Sequence, residues 1–222
     1  MSDAAPQETS AQPSFSLTPE EVRLLGVLIE KAFLTPDVYP LSLNALVTGC
    51  NQLTGRDPVL QLTESQVQDA LDSLIAQRWA TRREQAGARV AKFEHLVRMR
   101  HSLPTPEQAV LAILLLRGPQ TVGEIRQRTE RLHAFSDANA LESVLEHLAD
   151  KFPPLARQLP KAPGTKEPRW THLLAGEPDL DAMAEAEARG PAGGGLASRV
   201  AALESELQAL REDLAAFNKQ LD

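Results

Sequence analysis

The sequence predicts a mainly α chain with small β-hairpins, an α+β class made of two similar halves followed by one further helix. Three observations lead there. Helix-start signatures recur along the chain, apolar residues repeat at helical spacing behind each, and both halves end on two short apolar runs split by a turn-rich tip. Aromatic content is low, with 6 Phe, 2 Trp and 1 Tyr, which favours cores of Leu, Val and Ala on helices over a sandwich of aromatic strands.

The first half opens at Thr18-Pro19-Glu20-Glu21. A hydroxyl residue, a proline in the first helical position and Glu two residues beyond it form a helix start, continued by Val22, Leu25, Val27, Leu28 and Ile29. Pro40 and Ser42 precede a short helix with Leu43, Leu46, Val47 and Cys50 on one face. After the polar loop 53–58, Thr63-Glu64-Ser65-Gln66 makes a second capping box, followed by Val67, Leu71, Leu74 and Ile75. Trp79 to Arg83 and Val90 to Leu96 then read as two strands around a tip with Gly87.

The second half repeats this order. Thr105-Pro106-Glu107-Gln108 has the same start signature, followed by Val110, Leu111, Ile113, Leu114 and Leu115. Gly118-Pro119 ends that helix, Thr121 and Glu124 cap a middle helix, and Ser136 or Asp137 opens a third with Leu141, Val144, Leu145 and Leu148. Leu155 to Leu159 and Arg169 to Leu174 flank a second, longer tip. Three helices and a hairpin, in that order, are the winged variant of helix-turn-helix. The expectation is therefore a tandem of winged helix-turn-helix domains over 17–103 and 104–175, behind an N-terminal tail, 1–16, expected to be disordered.

Beyond this pair the composition shifts. Residues 176–195 are acidic and rich in Ala and Gly, as in a flexible linker. Residues 196–222 carry a heptad with Val200, Leu207, Leu214 and Leu221 at a, and Leu196, Leu203, Leu210 and Phe217 at d. No a or d position is polar, which predicts a coiled-coil helix and a homodimer. Arg199 with Glu204, and Glu206 with Arg211, would be attractive across a parallel pair; an amphipathic helix docked on its own chain is the alternative.

The net charge of −7 is unevenly placed. Residues 18–175 hold 19 Lys/Arg against 18 Asp/Glu, whereas 176–222 hold 4 against 10, so the folded halves are close to neutral and can still present a basic face. One cysteine, Cys50, rules out an intramolecular disulfide. Residues 1–12 show no basic and apolar leader pattern and no run is long enough to span a bilayer, so a cytoplasmic protein without a membrane role is expected.

Catalytic and metal-binding patterns are absent from the sequence. The five histidines show no ligand spacing, Cys50 has no cysteine partner, and there is no phosphate loop or Gly-x-Ser-x-Gly turn. The expectation is no enzyme and no cofactor. Double-stranded DNA is the partner that the fold order suggests, with a protein partner as the alternative. The outward faces of both third helices are acidic: Asp69 and Asp72 in the first, Glu142, Glu146 and Asp150 in the second. Positive charge gathers instead on the hairpins and the second middle helix. Candidate nucleic-acid contacts are Arg82, Arg83, Arg89 and Lys92 on the first hairpin, Arg126 and Arg128 on that helix, and Lys161 and Lys166 on the second hairpin. The competing reading is ordinary pairing with Glu84, Glu94, Glu124 and Glu130. Arg56-Asp57-Pro58 and residues 128–133 are more polar than connectors require, which suggests buried ion pairs holding the halves together, with a partner surface as the alternative.

Several stretches also carry a resemblance: LGVLIEKAFLTPDVYPLSLNALVTGCNQ (25–52), RDPV (56–59), RVAKFEH (89–95), GPQTVGEIRQRTERLHAF (118–135) and EPRWTHLL (167–174). On these the chain resembles the YceH family of uncharacterised bacterial proteins over roughly residues 17–176. The resemblance implies tandem winged-helix domains and no established activity, and it transfers no site residue.

Overall fold

Helix α1 (Pro19–Leu34) begins where its sequence says it must. The Thr18 hydroxyl accepts from the Glu21 backbone N–H at 3.3 Å, and the Glu21 carboxylate accepts from the Thr18 N–H at 2.7 Å. The computed structural model describes residues 15–83, 90–161, 167–180 and 182, and it divides into two units, 1–177 and 178–222. In the first unit α1 is followed by a single 3-10 turn (Pro36–Val38), α2 (Leu43–Cys50), α3 (Glu64–Ala76), the antiparallel strands β1 (Ala80–Arg83) and β2 (Lys92–His95), and a short α4 (Val97–His101). Ser42 caps α2, and Thr63 with Gln66 closes the expected box on α3.

The second half runs α5 (Thr105–Arg117), α6 (Val122–Thr129), α7 (Ala138–Ala149), β3 (Ala156–Gln158) and β4 (Trp170–His172), the strands again antiparallel. Thr121 and Glu124 box the start of α6, and the Asp137 carboxylate caps α7 through the Ala140 N–H at 2.9 Å. Each hairpin gains a third partner from the segment between the first and second helices of its half. Leu41 exchanges both backbone hydrogen bonds with Phe93, at 3.0 and 2.8 Å, and Gln120 does so with Trp170, at 3.0 and 2.7 Å. The internal repeat thus extends to a bridge that no periodicity reveals.

One expected cap is not made. The residue before α5 is Pro104, and Thr105 forms no capping hydrogen bond. Gln108, which should have completed the box, is buried and donates from Nε2 to the Leu103 carbonyl at 2.7 Å. The helix begins one residue earlier, and the Gln108 N–H donates to the Pro104 carbonyl at 3.1 Å. Residues 107–116 of α5 are all buried, and the Gln108 side chain finds its partner there.

The apolar spacing marks Val22, Leu25, Val27, Leu28 and Ile29 of α1, yet the helix is buried without a break from Glu21 to Glu30. Helices α1 and α5 lie against each other inside one hydrophobic cluster that also takes in Leu46, Val67, Leu71 and Leu74 from the first half and Ile125, Leu141, Leu145 and Leu148 from the second. Gly26 permits the approach. A Cβ there would lie 2.9 Å from Leu116 Cδ2 and 3.1 Å from Leu115 Cβ. The rim is closed by Leu17, whose N–H donates to the Leu174 carbonyl at 2.8 Å, and by Phe15, whose ring lies 5.4 Å from Trp79. Arg100 covers the same indole at 4.5 Å, a cation–π contact.

Gly26→Ala separates two opposing effects. Helix propensity alone favours alanine by about 1 kcal/mol. Crowding of a filled contact costs about 1–3 kcal/mol, and the Leu115 Cβ is fixed to its own helix. The expected result in urea denaturation is a lower midpoint; a raised one would show that α5 yields easily.

Candidate nucleic-acid interface

The first hairpin places Arg82 and Arg83 at the end of β1 and Lys92 at the start of β2, with Arg83 and Lys92 directly opposite. Arg82 and Arg83 are exposed and Lys92 is half-buried. Two cations facing each other repel, and the strand pair relieves this through Glu94, which accepts from Arg83 Nε at 2.7 Å. The Arg83 side chain remains 62% exposed, so the pair leaves it accessible to a stronger anion. Arg89 lies outside the described residues, as does Lys166 on the second hairpin. Lys161 is exposed just after β3. Arg157 on β3 pairs with Glu177, so one hairpin cation is already matched by an acid.

The middle-helix candidates serve the fold. Arg126 donates to the Ser136 carbonyl at 3.1 Å, tying α6 to the turn before α7. Arg128 binds the Gln120 side-chain oxygen and reaches Glu124 at 3.3 Å. Thus Arg82, Arg83 and Lys92 share one hairpin, with Arg83 held by Glu94, while Arg126 and Arg128 belong to the other half and make local contacts there. On α3, Ser65, Asp69 and Asp72 are exposed, with Gln68 donating to Asp72 at 2.8 Å; on α7, Asn139, Glu142, Ser143, Glu146 and Asp150 are exposed. Neither face carries a cation.

The polar loop after α2 has a different part. Arg56, its side chain 1% exposed, makes a two-pronged pair with Glu30 of α1 at 3.0 and 2.7 Å. It also donates to the Gly49 carbonyl at 3.1 Å and the Gln52 side chain at 2.6 Å. The adjoining Asp57 N–H donates to the Leu116 carbonyl at 2.9 Å, so the loop of the first half grips the last turn of α5. Arg23, about two turns earlier on α1 than Glu30, donates to the carbonyls of Cys50 and Pro58 at 3.1 and 2.6 Å. Burial, then the neighbouring Arg56, lowers the Arg23 pKa. Burial pushes the Cys50 thiol up to about 12, which removes it as a nucleophile at neutral pH. Sequence reasoning missed Arg23 because it sits inside an apolar run and no face marks it as interior. Its only signal was a lone cation among buried neighbours. Among the described residues no group of three or more His, Cys, Asp or Glu could hold a metal ion, and no helix is long and apolar enough to cross a membrane.

Comparison with known proteins agrees with these motifs. A family model described as "Protein of unknown function, DUF480" matches residues 17–165. The chain belongs to that family. Within it, a UPF0502 protein of Azoarcus sp. (strain BH72) is 60% identical, covering 96% of this chain and 96% of its own. A UPF0502 protein of Chromobacterium violaceum is 50% identical over 91% and 90%, and one of Herminiimonas arsenicoxydans 47% identical over 99% and 94%. The DUF480 match covers the first half, with the Arg56 loop and the first hairpin, and the second half through β3, stopping short of β4.

Removing one partner of a buried charge pair costs about 3–5 kcal/mol, because the other charge is stranded. Arg56→Met should therefore lower stability in urea by that order, with Glu30→Met added to it restoring a large part. Equal loss in both variants would show that the Gly49 and Gln52 bonds matter more than the ion pair.

Proposed function

We propose that this DUF480 chain is a non-catalytic tandem winged-helix protein of the cytoplasm that binds double-stranded DNA through its hairpins, as a homodimer, in transcriptional control. One observation carries the reading. Each half repeats three helices, a hairpin and a bridging residue pair, and both hairpins carry exposed cations, Arg82 and Arg83 on the first and Lys161 on the second, with Arg98 and Arg131 exposed elsewhere. In winged helices the third helix commonly enters the major groove. Here α3 and α7 present carboxylates, which phosphate repels, so the hairpins lead and the third helices stay back from the groove.

Those same carboxylates favour a second reading, in which α3 and α7 dock a protein without DNA. The two differ in their response to salt. Fluorescence anisotropy of the full chain with mixed-sequence duplex DNA, at two salt concentrations, is expected to show binding that weakens steeply as salt rises. Replacing Arg82, Arg83 and Arg89 together by Ala should lower the slope of log affinity against log salt by about 2–3. No binding at low salt would leave the protein-docking reading in place.

The dimer rests on the heptad at Leu196, Val200, Leu203, Leu207, Leu210, Leu214, Phe217 and Leu221, which lies outside the described residues. In sedimentation at micromolar concentration the full chain is expected as a dimer and a chain ending at Gly176 as a monomer. Monomers in both cases would remove the coiled coil from the proposal.

A further inference from the structure

A groove of ≈ 340 Å³ opens where the root of the first hairpin meets the start of α5. Its apolar wall comes from Phe33 at the end of α1 and from Leu96 and Met99 around α4, with Met99 80% exposed. That volume suits a molecule with one ring.

Some of the polar groups around this wall keep hydrogen-bonding capacity that the fold does not use. The Tyr39 oxygen accepts from the His95 backbone N–H at 2.8 Å, but its O–H proton has no acceptor among the described residues. Burial raises the pKa of that phenol, so the proton stays on. Thr105, exposed and without a capping hydrogen bond, is also part of the lining. Arg98 stands exposed at the rim with no ion pair among the described residues. The His95 ring faces Tyr39, with centroids 6.0 Å apart, and its Nδ1 is buried without a partner. Glu94, the one carboxylate in the lining, pairs with Arg83, and its charge, after burial, helps hold the proton on the Tyr39 phenol. A buried polar atom left unmatched, as His95 Nδ1 is, is uncommon and calls for a partner; Arg98 and Thr105 are exposed and open to one. A cation and two hydroxyl donors beside an apolar wall match an anion with a flat apolar body.

We propose that this groove binds a small aromatic carboxylate, its charge on Arg98 and Tyr39 and its ring against Phe33 and Met99. Nothing in the DNA-binding reading requires such a ligand. The site would join the first hairpin to α5, since β2, α4 and the start of α5 all contribute to it.

Tyr39 is the only tyrosine in the chain, so ring-labelled tyrosine gives one NMR signal located in the groove. Benzoate titrated into the full chain without nucleic acid should shift that signal saturably. Benzamide, of the same shape but uncharged, should bind about tenfold more weakly, the difference expected for a charge-assisted hydrogen bond. Arg98→Gln should weaken benzoate by a similar factor while leaving the signal of the free protein in place. The proposal is overturned by the absence of a saturable shift up to the solubility of benzoate, or by benzamide binding equally well. The comparison of the two probes uses the native chain, so it decides the matter even if the Arg98 variant misfolds.

Discussion

The structure depends on how closely α1 approaches α5. These two helices are buried along ten consecutive residues each, which leaves neither with a solvent face, and each supplies the other's missing partner. A glycine inside a helix is ordinarily a weakness, since it loses more backbone freedom on folding than any other residue. At Gly26 the loss is offset by the contact with Leu115 and Leu116. Everything polar at this joint is arranged to protect it. Arg56 and Arg23 bind the loop after α2 down onto α1, and Asp57 passes the connection on to the end of α5. The bridge is therefore built from backbone carbonyls and one buried ion pair as well as from apolar surface.

Much of the fold was legible in the sequence because caps are local chemistry. Thr18, Ser42, Thr63, Thr121 and Asp137 each start a helix, and each does so by a hydrogen bond to a residue three positions on. Where the decision is made by distant residues, local reading fails. Thr105 carries the same signature and does not cap, because α5 begins one residue earlier and the Pro104 carbonyl takes the Gln108 N–H. Helix α4 was not anticipated because Val97 is its only buried residue, and one apolar position defines no period. The bridges at Leu41 and Gln120 are single pairs, too short to leave a pattern of alternation.

The candidate site was legible only as charge. Sequence reasoning put cations on the first hairpin, and the structure places Arg82, Arg83 and Lys92 there. It could not say which cations were already committed. Arg126 and Arg128 read as surface charge, yet their partners, the Ser136 carbonyl and the Gln120 side chain, belong to the folding of their own half. The groove at Tyr39 was invisible for a similar reason. Its lining comes from α1, β2, α4 and α5, which no stretch of sequence brings together.

The hydrogen bond from Leu17 to Leu174 has a consequence for the order of the chain. The segment that enters the first half and the segment that leaves the second touch there, and Gly176 lies against the Phe15 carbonyl, where a Cβ would stand at 3.5 Å. Residues 17–174 therefore form a ring in all but covalent terms. The contacts that define this unit do not depend on where along that ring the polypeptide is cut, provided the cut falls in an exposed connection. Two halves that arose in one linear order are held by a circular one.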